Sequence, residues 1–357
     1  MEGSRLSGQS RLLALVACLF VVQTVYAQDT EPPNVLSFDF DPKTVDTSVS
    51  SEDIIFTTRL TDDLSGVTDG DIGGKGISPS QARFQSPSGH QISDVLFVPP
   101  SDLISGDEFD GTYQSKMTLP KYSEKGTWML QSFLLVDDVG NRKWLSKDDM
   151  NNLGFPTEFE VESAGDVEPP EILSFDFNPK AIDTFASSQD IIFTTRLTDD
   201  LSGVTDGDIG GKGISPSQAR FQSPSGHQIS DVLFVPPSDL ISGDEFDGTY
   251  QSKMTLPKYS EKGTWKLQSF LLVDDVGNTK WLSKDDMNNL SFPTEFEVVS
   301  KGDNEPPNIL SFHINPKLID TSNSSQTVTI TAHLTDNLSG LGSITTCITR
   351  PSKWLTC

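Results

Sequence analysis

Apolar and polar residues alternate in short runs along most of this chain, with a period of two. Leu36, Phe38 and Phe40 alternate with Ser37 and Asp39, which predicts a half-buried strand. Ile54, Phe56 and Leu60 share one parity of the next run, with Arg59 and Thr61 on the other. Asp62-Asp63-Leu64-Ser65-Gly66 then reads as a turn. Residues 69–76, DGDIGGKG, are too glycine-rich for a regular element and are expected to form a loop. Phe84 lies in a short strand closed by Ser86-Pro87-Ser88-Gly89, and the run Ile92 to Val98 stops at Pro99-Pro100. Asp107 to Gly111 reads as an acidic loop. Tyr113, Met117 and Leu119 then share a parity, and Pro120 to Gly126 turns a corner. Trp128 to Val136 is the longest apolar run and predicts a central strand, ending in Asp137-Asp138-Val139-Gly140-Asn141. Lys143 to Leu145 and Glu158 to Val161 complete the set, with one helical turn at Lys147 to Leu153. Short strands joined by turns, without a long amphipathic helix, predict an all-β fold: a β-sandwich with Greek-key connections. Trp128 is expected between the sheets.

The same pattern then starts again. EPPNVLSFDF opens at Glu31, EPPEILSFDF at Glu168 and EPPNILSFHI at Glu305, each 137 residues after the last. A fixed long period marks an array of copied units. Copies one and two differ at 14 positions, and Asp53 to Trp128 recurs unchanged as Asp190 to Trp265. Identity this high follows from recent copying, so it marks no residue as constrained. The expected domains are two complete modules, 31–167 and 168–304, and a partial third, 305–357. A 137-residue unit can bury its own core. The third holds the opening strands of a sandwich without its second half, and is read as truncated.

The formal net charge is −25. That argues against phosphate-backbone binding and for solubility and cation binding, so no nucleic-acid partner is expected. Residues 1–27 read as a secretory signal: Arg5 and Arg11, then an apolar run from Leu12 to Val22, then Val25-Tyr26-Ala27 before Gln28. The run is too short to span a membrane, so the mature segment is expected without a transmembrane span and secreted, extracellular or at a cell surface. Cys18 leaves with the leader, and the complete modules contain no cysteine, so no disulfide supports them. Whether Cys347 and Cys357 pair is left open.

The layout EPP…LSF…LTDDLSG…GTY…YSEKGTW…LVDDVGN resembles the immunoglobulin-like repeats of secreted and surface proteins, especially bacterial ones, which are similar in architecture to cadherin and fibronectin type III modules. The resemblance covers 31–304 fully and the third copy partly. It implies tandem Ig-like sandwiches. The module is longer than the hundred or so residues usual for such domains, with the excess expected in the 65–81 and 99–111 loops.

Candidate chemistry is acidic. In an immunoglobulin-like topology the turns after the second and sixth strands share a pole, and the first strand begins there. That would gather Glu31, Asp62, Asp63, Asp137, Asp138 and Asn141 in copy one. In copy two it would gather Glu168, Asp199, Asp200, Asp274, Asp275 and Asn278, joined by Asp166 of the linker. Unpaired carboxylates repel, and a hard cation taking six to eight oxygens would neutralise them. The expected cofactor is Ca²⁺ at the joints; the alternative is metal-free Asx turns beside glycine. Asp107-Glu108-Phe109-Asp110-Gly111, and Asp69 with Asp71, read as solvated loops because they lack the ligand spacing of a Ca²⁺ loop. Trp144 and Trp281 offer either edge packing or a platform for a sugar ring. No GK[ST] or HExxH motif appears, and copied binding or spacing units are expected rather than an enzyme. The first reading is a non-catalytic array for adhesion or spacing, meeting an extracellular or cell-surface protein or glycan. The second is a set of accessory, glycan-binding modules of a larger secreted enzyme.

Overall fold

The computed structural model describes residues 29–346 apart from 73–74, 210–211, 322–323 and 325. Residues 1–27, expected to be a secretory signal, and Cys347 and Cys357 lie outside the described residues. In chain order the first repeat holds β1 (Asn34–Asp41), β2 (Thr44–Asp46), β3 (Glu52–Thr61), β4 (Asp71–Ile72), β5 (Lys75–Gly76), β6 (Ser80–Gln85) and β7 (Ile92–Phe97). These are followed by β8 (Leu103–Gly106), β9 (Asp110–Leu119), β10 (Gly126–Val136), β11 (Arg142–Leu145), α1 (Lys147–Asn152) and β12 (Glu158–Glu162). One sheet runs β1-β3-β9-β8, and the other runs β2-β12-β10-β6-β7 with β11 also on β10. The neighbours β3–β9 and β6–β10 are far apart in sequence, because the chain switches sheets between them. The protein is an all-β array of sandwich modules, as the alternation predicts. The second repeat has the same order between Glu171 and Val298.

Period-two burial builds the core. Ile54, Phe56, Thr58 and Leu60 of β3 and Tyr113, Met117 and Leu119 of β9 are all buried on the inner face. Phe40, Phe56, Phe84 and Phe159 form a continuous run across the sheets, with successive ring centroids 4.9, 5.4 and 5.2 Å apart. Trp128 stacks on Phe159 at 5.9 Å, and its Nε1 donates to Glu124 O at 2.9 Å. The indole therefore fills the core and satisfies its one donor. The central strand β10 is apolar and buried on both faces over its last four residues, with Phe133 and Leu135 turned into the core between the sheets.

Three elements depart from the alternation. The register slips between Val35 and Ser37, so Val35 turns inward and Leu36 is 51% exposed; a β-bulge reverses parity locally. The glycine-rich 69–76 segment forms the two-residue ladder β4–β5 instead of an open loop. The 99–111 segment contains β8, which hairpins onto β9. Gly106, at φ +84°, makes that turn: a Cβ there would lie 2.0 Å from Asp110 O. The helical turn is present as α1, started by a capping box between Ser146 and Asp149. Among the described residues the third copy contributes the hairpin Asn308–Asn315 with Thr329–Thr335. Phe312, in the place of buried Phe38 and Phe175, is exposed there.

Candidate functional site

The turn after β3 and the turn after β10 meet at one pole of each repeat. Val67 bridges to Asp137, and Asp138 N donates to Gly66 O at 2.9 Å. Asp62 closes the first turn, its Oδ2 accepting from the N–H groups of Leu64, Ser65 and Gly66 at 3.2, 2.9 and 2.7 Å. Asp137 closes the second, accepting from Val139 N and Asn141 N at 3.0 and 2.6 Å and from Asn141 Nδ2 at 2.6 Å. The segment ahead of β1 completes the pole. Asp29 accepts from Ser65 N at 2.9 Å and from Asn141 Nδ2 at 3.2 Å.

The second repeat repeats this geometry at the seam. Asp199 Oδ2 accepts from Leu201 N and Gly203 N at 3.2 and 2.7 Å. Asp274 accepts from Asn278 N and Nδ2, both at 2.7 Å. Asp166 accepts from Ser202 N at 2.8 Å and from Asn278 Nδ2 at 3.4 Å. One carboxylate oxygen from each of Asp166, Asp199 and Asp200 lies within 4.8 Å of the others, as do those of Asp29, Asp62 and Asp63. Asp199 Oδ1 and Ser202 Oγ are buried without a hydrogen-bond partner in the protein, as are Asp62 Oδ1 and Ser65 Oγ. A cavity of about 330 Å³, lined by Glu168, Glu171, Asp199, Asp200 and Lys280 among others, opens on the seam cluster.

The two poles differ electrostatically although their turns are identical in sequence. Burial pushes Asp274 up to about 8; the Asn278 bonds oppose this, and the charges of Asp166 and Asp199 add to it. Burial also raises Asp137, and Asp29 and Asp62 add to the rise, but the shift is smaller. The joint accounts for the difference. Asp166 is buried, beneath module one's Gln91, whereas Asp29 is half-buried.

Not every expected residue joins the cluster. Asp138 and Asp275 turn to the other side of the loop, where they bond Thr68 and Thr205 and face Asp69 and Asp206. Burial pushes Asp275 up to about 6. Glu31 contributes its carbonyl, 3.5 Å from Asn141 Nδ2, and Glu168 lines the cavity. The 107–111 loop is a closed turn: Asp107 caps Phe109 N and Asp110 N at 3.0 Å, and Asp110 pairs with Arg59 through two bonds at 2.8 and 2.7 Å. Trp144 and Trp281 are 59% and 61% exposed on the strand beside β10 and its counterpart. Four residues of the poles and joints are not among those the sequence singles out: Asp29, its third-copy counterpart Asp303, and Gln91 with its counterpart Gln228. The period carries the first two, since Asp29, Asp166 and Asp303 stand 137 apart in the motif Asp-x-Glu-Pro-Pro. Nothing local in the sequence marks Gln91.

A family model described as a domain of unknown function, DUF7743, matches residues 27–161 and again 164–301. The chain belongs to this family. Its two DUF7743 copies each begin just ahead of the Asp-x-Glu-Pro-Pro motif, so Asp29 and Asp166 fall inside the copy whose turns they bind. No curated protein matches the sequence. Among solved structures, a DUF4785 family protein from Legionella pneumophila is 12% identical, with 69% of this chain and 55% of that one covered at a TM-score of 0.22. Dimeric latent PorU from Porphyromonas gingivalis is 13% identical, with 80% and 25% covered at a TM-score of 0.23. The collagen binding domain of Erysipelothrix rhusiopathiae surface protein RspB is 10% identical, with 75% and 94% covered at a TM-score of 0.13. The chain thus spans about half and a quarter of the first two. Likenesses this slight assign neither activity nor ligand. Among the described residues no helix is long and apolar enough to cross a membrane.

The donor set suits a hard cation. Every candidate ligand is oxygen, and in each cluster a buried carboxylate oxygen faces no donor.

Proposed function

We propose that this is a non-catalytic extracellular array of immunoglobulin-like modules, acting in adhesion or as a spacer, with Ca²⁺ held at the acidic poles. The observation that carries the reading is the seam cluster of Asp166, Asp199 and Asp200, with Asp199 Oδ1 buried and unpartnered. Asp274 and Asn278 support it from below. A cation there would neutralise carboxylates that burial otherwise penalises, and would tie the linker to the turns of the second module. The leader-like residues 1–27 support export. Thermal unfolding of the full chain in excess Ca²⁺ and in chelator tests the reading. A ligand at 100 times Kd stabilises its site by about 2.7 kcal/mol. Coincident melting curves would remove Ca²⁺ from the account.

A second reading, accessory glycan-binding modules of a larger secreted enzyme, draws on the exposure of Trp144 and Trp281. An exposed indole face can stack on a sugar ring. This reading expects signal on a glycan array that is lost in Trp144→Ala/Trp281→Ala. Unchanged signal, or none from the parent, would set it aside.

A further inference from the structure

The residue joining the two modules is divided between them. Asp166 gives its main chain to module one: its N donates to Tyr122 O at 2.8 Å, and its O accepts from Gln91 Nε2 at 2.6 Å. It gives its side chain to module two, through Ser202 N and Asn278 Nδ2. Gln91 is buried and uses its remaining groups on both sides. Its Oε1 accepts from Glu124 N at 2.8 Å, and its Nε2 also reaches Asn278 Oδ1 of module two at 3.2 Å. Gly165 lies flat on module one, at φ +72°, where a Cβ would sit 3.0 Å from Lys125 N. The pattern recurs one period on. Asp303 N donates to Tyr259 O at 2.7 Å, Asp303 O accepts from Gln228 Nε2 at 2.7 Å, and Asp303 Oδ2 accepts from Ser339 N at 2.8 Å. A Cβ on Gly302 would fall 2.0 Å from Ser260 O.

We propose that Asp166 and Gln91 form a protein-only rivet that fixes the angle between successive modules before any cation binds, and that the Asp-x-Glu-Pro-Pro motif is the part of each module that its predecessor grips. Flexible linkers leave their backbone groups to water. Here the linker's N–H and C=O are claimed by the module behind it and its carboxylate by the module ahead. The bonds are buried, so water does not compete for them. The partner surface is the Tyr122–Lys125 corner with Gln91, repeated as the Tyr259–Lys262 corner with Gln228. These bonds involve protein groups alone and need no Ca²⁺.

The test is a distance distribution between spin labels at Ser105→Cys and Ser242→Cys in the full chain, with the three native cysteines changed to Ser and chelator present. The parent should give one narrow distribution. Asp166→Ala and Gln91→Ala should each widen it severalfold, while Asp29→Ala, which removes the same bonds from the pole of module one, should not. Gln91→Ala removes no carboxylate, so it keeps the test valid where Asp166→Ala disturbs module two. A parent as broad in chelator as Gln91→Ala overturns the rivet. A parent broad in chelator and narrow in Ca²⁺ also overturns it, while leaving the cation reading intact.

Discussion

In chelator, the second repeat is expected to lose stability steadily as the pH rises from about 5 to 8, and the first repeat to lose less. The folded state keeps a proton on Asp274 up to about pH 8, whereas an unfolded Asp releases it near 4. Between those values the folded state binds more protons than the unfolded state, so stability falls with pH. For one such proton the fall is about 1.4 kcal/mol per pH unit, and relaxation of a buried site trims the total, which leaves a loss of a few kcal/mol. Asp275, raised to about 6, adds in the same direction over the lower half of the window. Ion-paired surface groups such as Asp39 and Asp53 are shifted down, so their contribution is lost below about pH 4, outside the window. Asp274→Asn should flatten the slope and raise stability at pH 8. Ca²⁺ should do so as well, since a cation held by Asp166 and Asp199 would offset the negative charges that help to raise Asp274. Melting by circular dichroism at several pH values reads this directly. A second transition whose midpoint does not move between pH 5 and 8 would refute the buried, protonated Asp274.

The difference between two poles of nearly identical sequence shows what the residues alone could carry. Parity placed Ile54, Phe56, Tyr113 and Met117 inside, because a strand between two sheets leaves one face no alternative. Leu36 went the other way, since a bulge depends on the register of the partner strand and leaves no local mark. β8 was hidden in a loop because its burial is slight: edge strands need little apolar content. At the site, the turn residues Asp62, Asp137 and Asn141 were legible from Asx-turn chemistry. Asp138 and Asp275 were not separable from their neighbours, because adjacent strand-end residues point to opposite sides. Gln91 was illegible for a different reason. Its role rests on contacts 75 and 187 residues away, across a module boundary.

Trp128→Ala is expected to destabilise the first repeat by about 3–5 kcal/mol, the usual cost of a large aromatic lost from a core. That is a large share of the roughly 5–15 kcal/mol by which a domain is normally stable. Two losses combine. The stack on Phe159 is replaced by a cavity at the end of the phenylalanine run, and Glu124 O loses the indole donor that satisfies it. Trp128→Phe separates them: it keeps ring packing and forfeits the bond, so it should cost about 1–3 kcal/mol. Urea unfolding of the full chain, followed by circular dichroism, should show one early transition in Trp128→Ala and the mirror result in Trp265→Ala. A stability for Trp128→Ala within about 1 kcal/mol of the parent would mean that the indole does not sit between the sheets. The joint gives this variant a further signature. Glu124 N is also the donor that positions Gln91, so loosening Glu124 slackens the grip on Asp166. The second repeat should therefore melt slightly earlier in Trp128→Ala, whereas Trp265→Ala, which acts on the next joint along, should leave the first repeat unmoved.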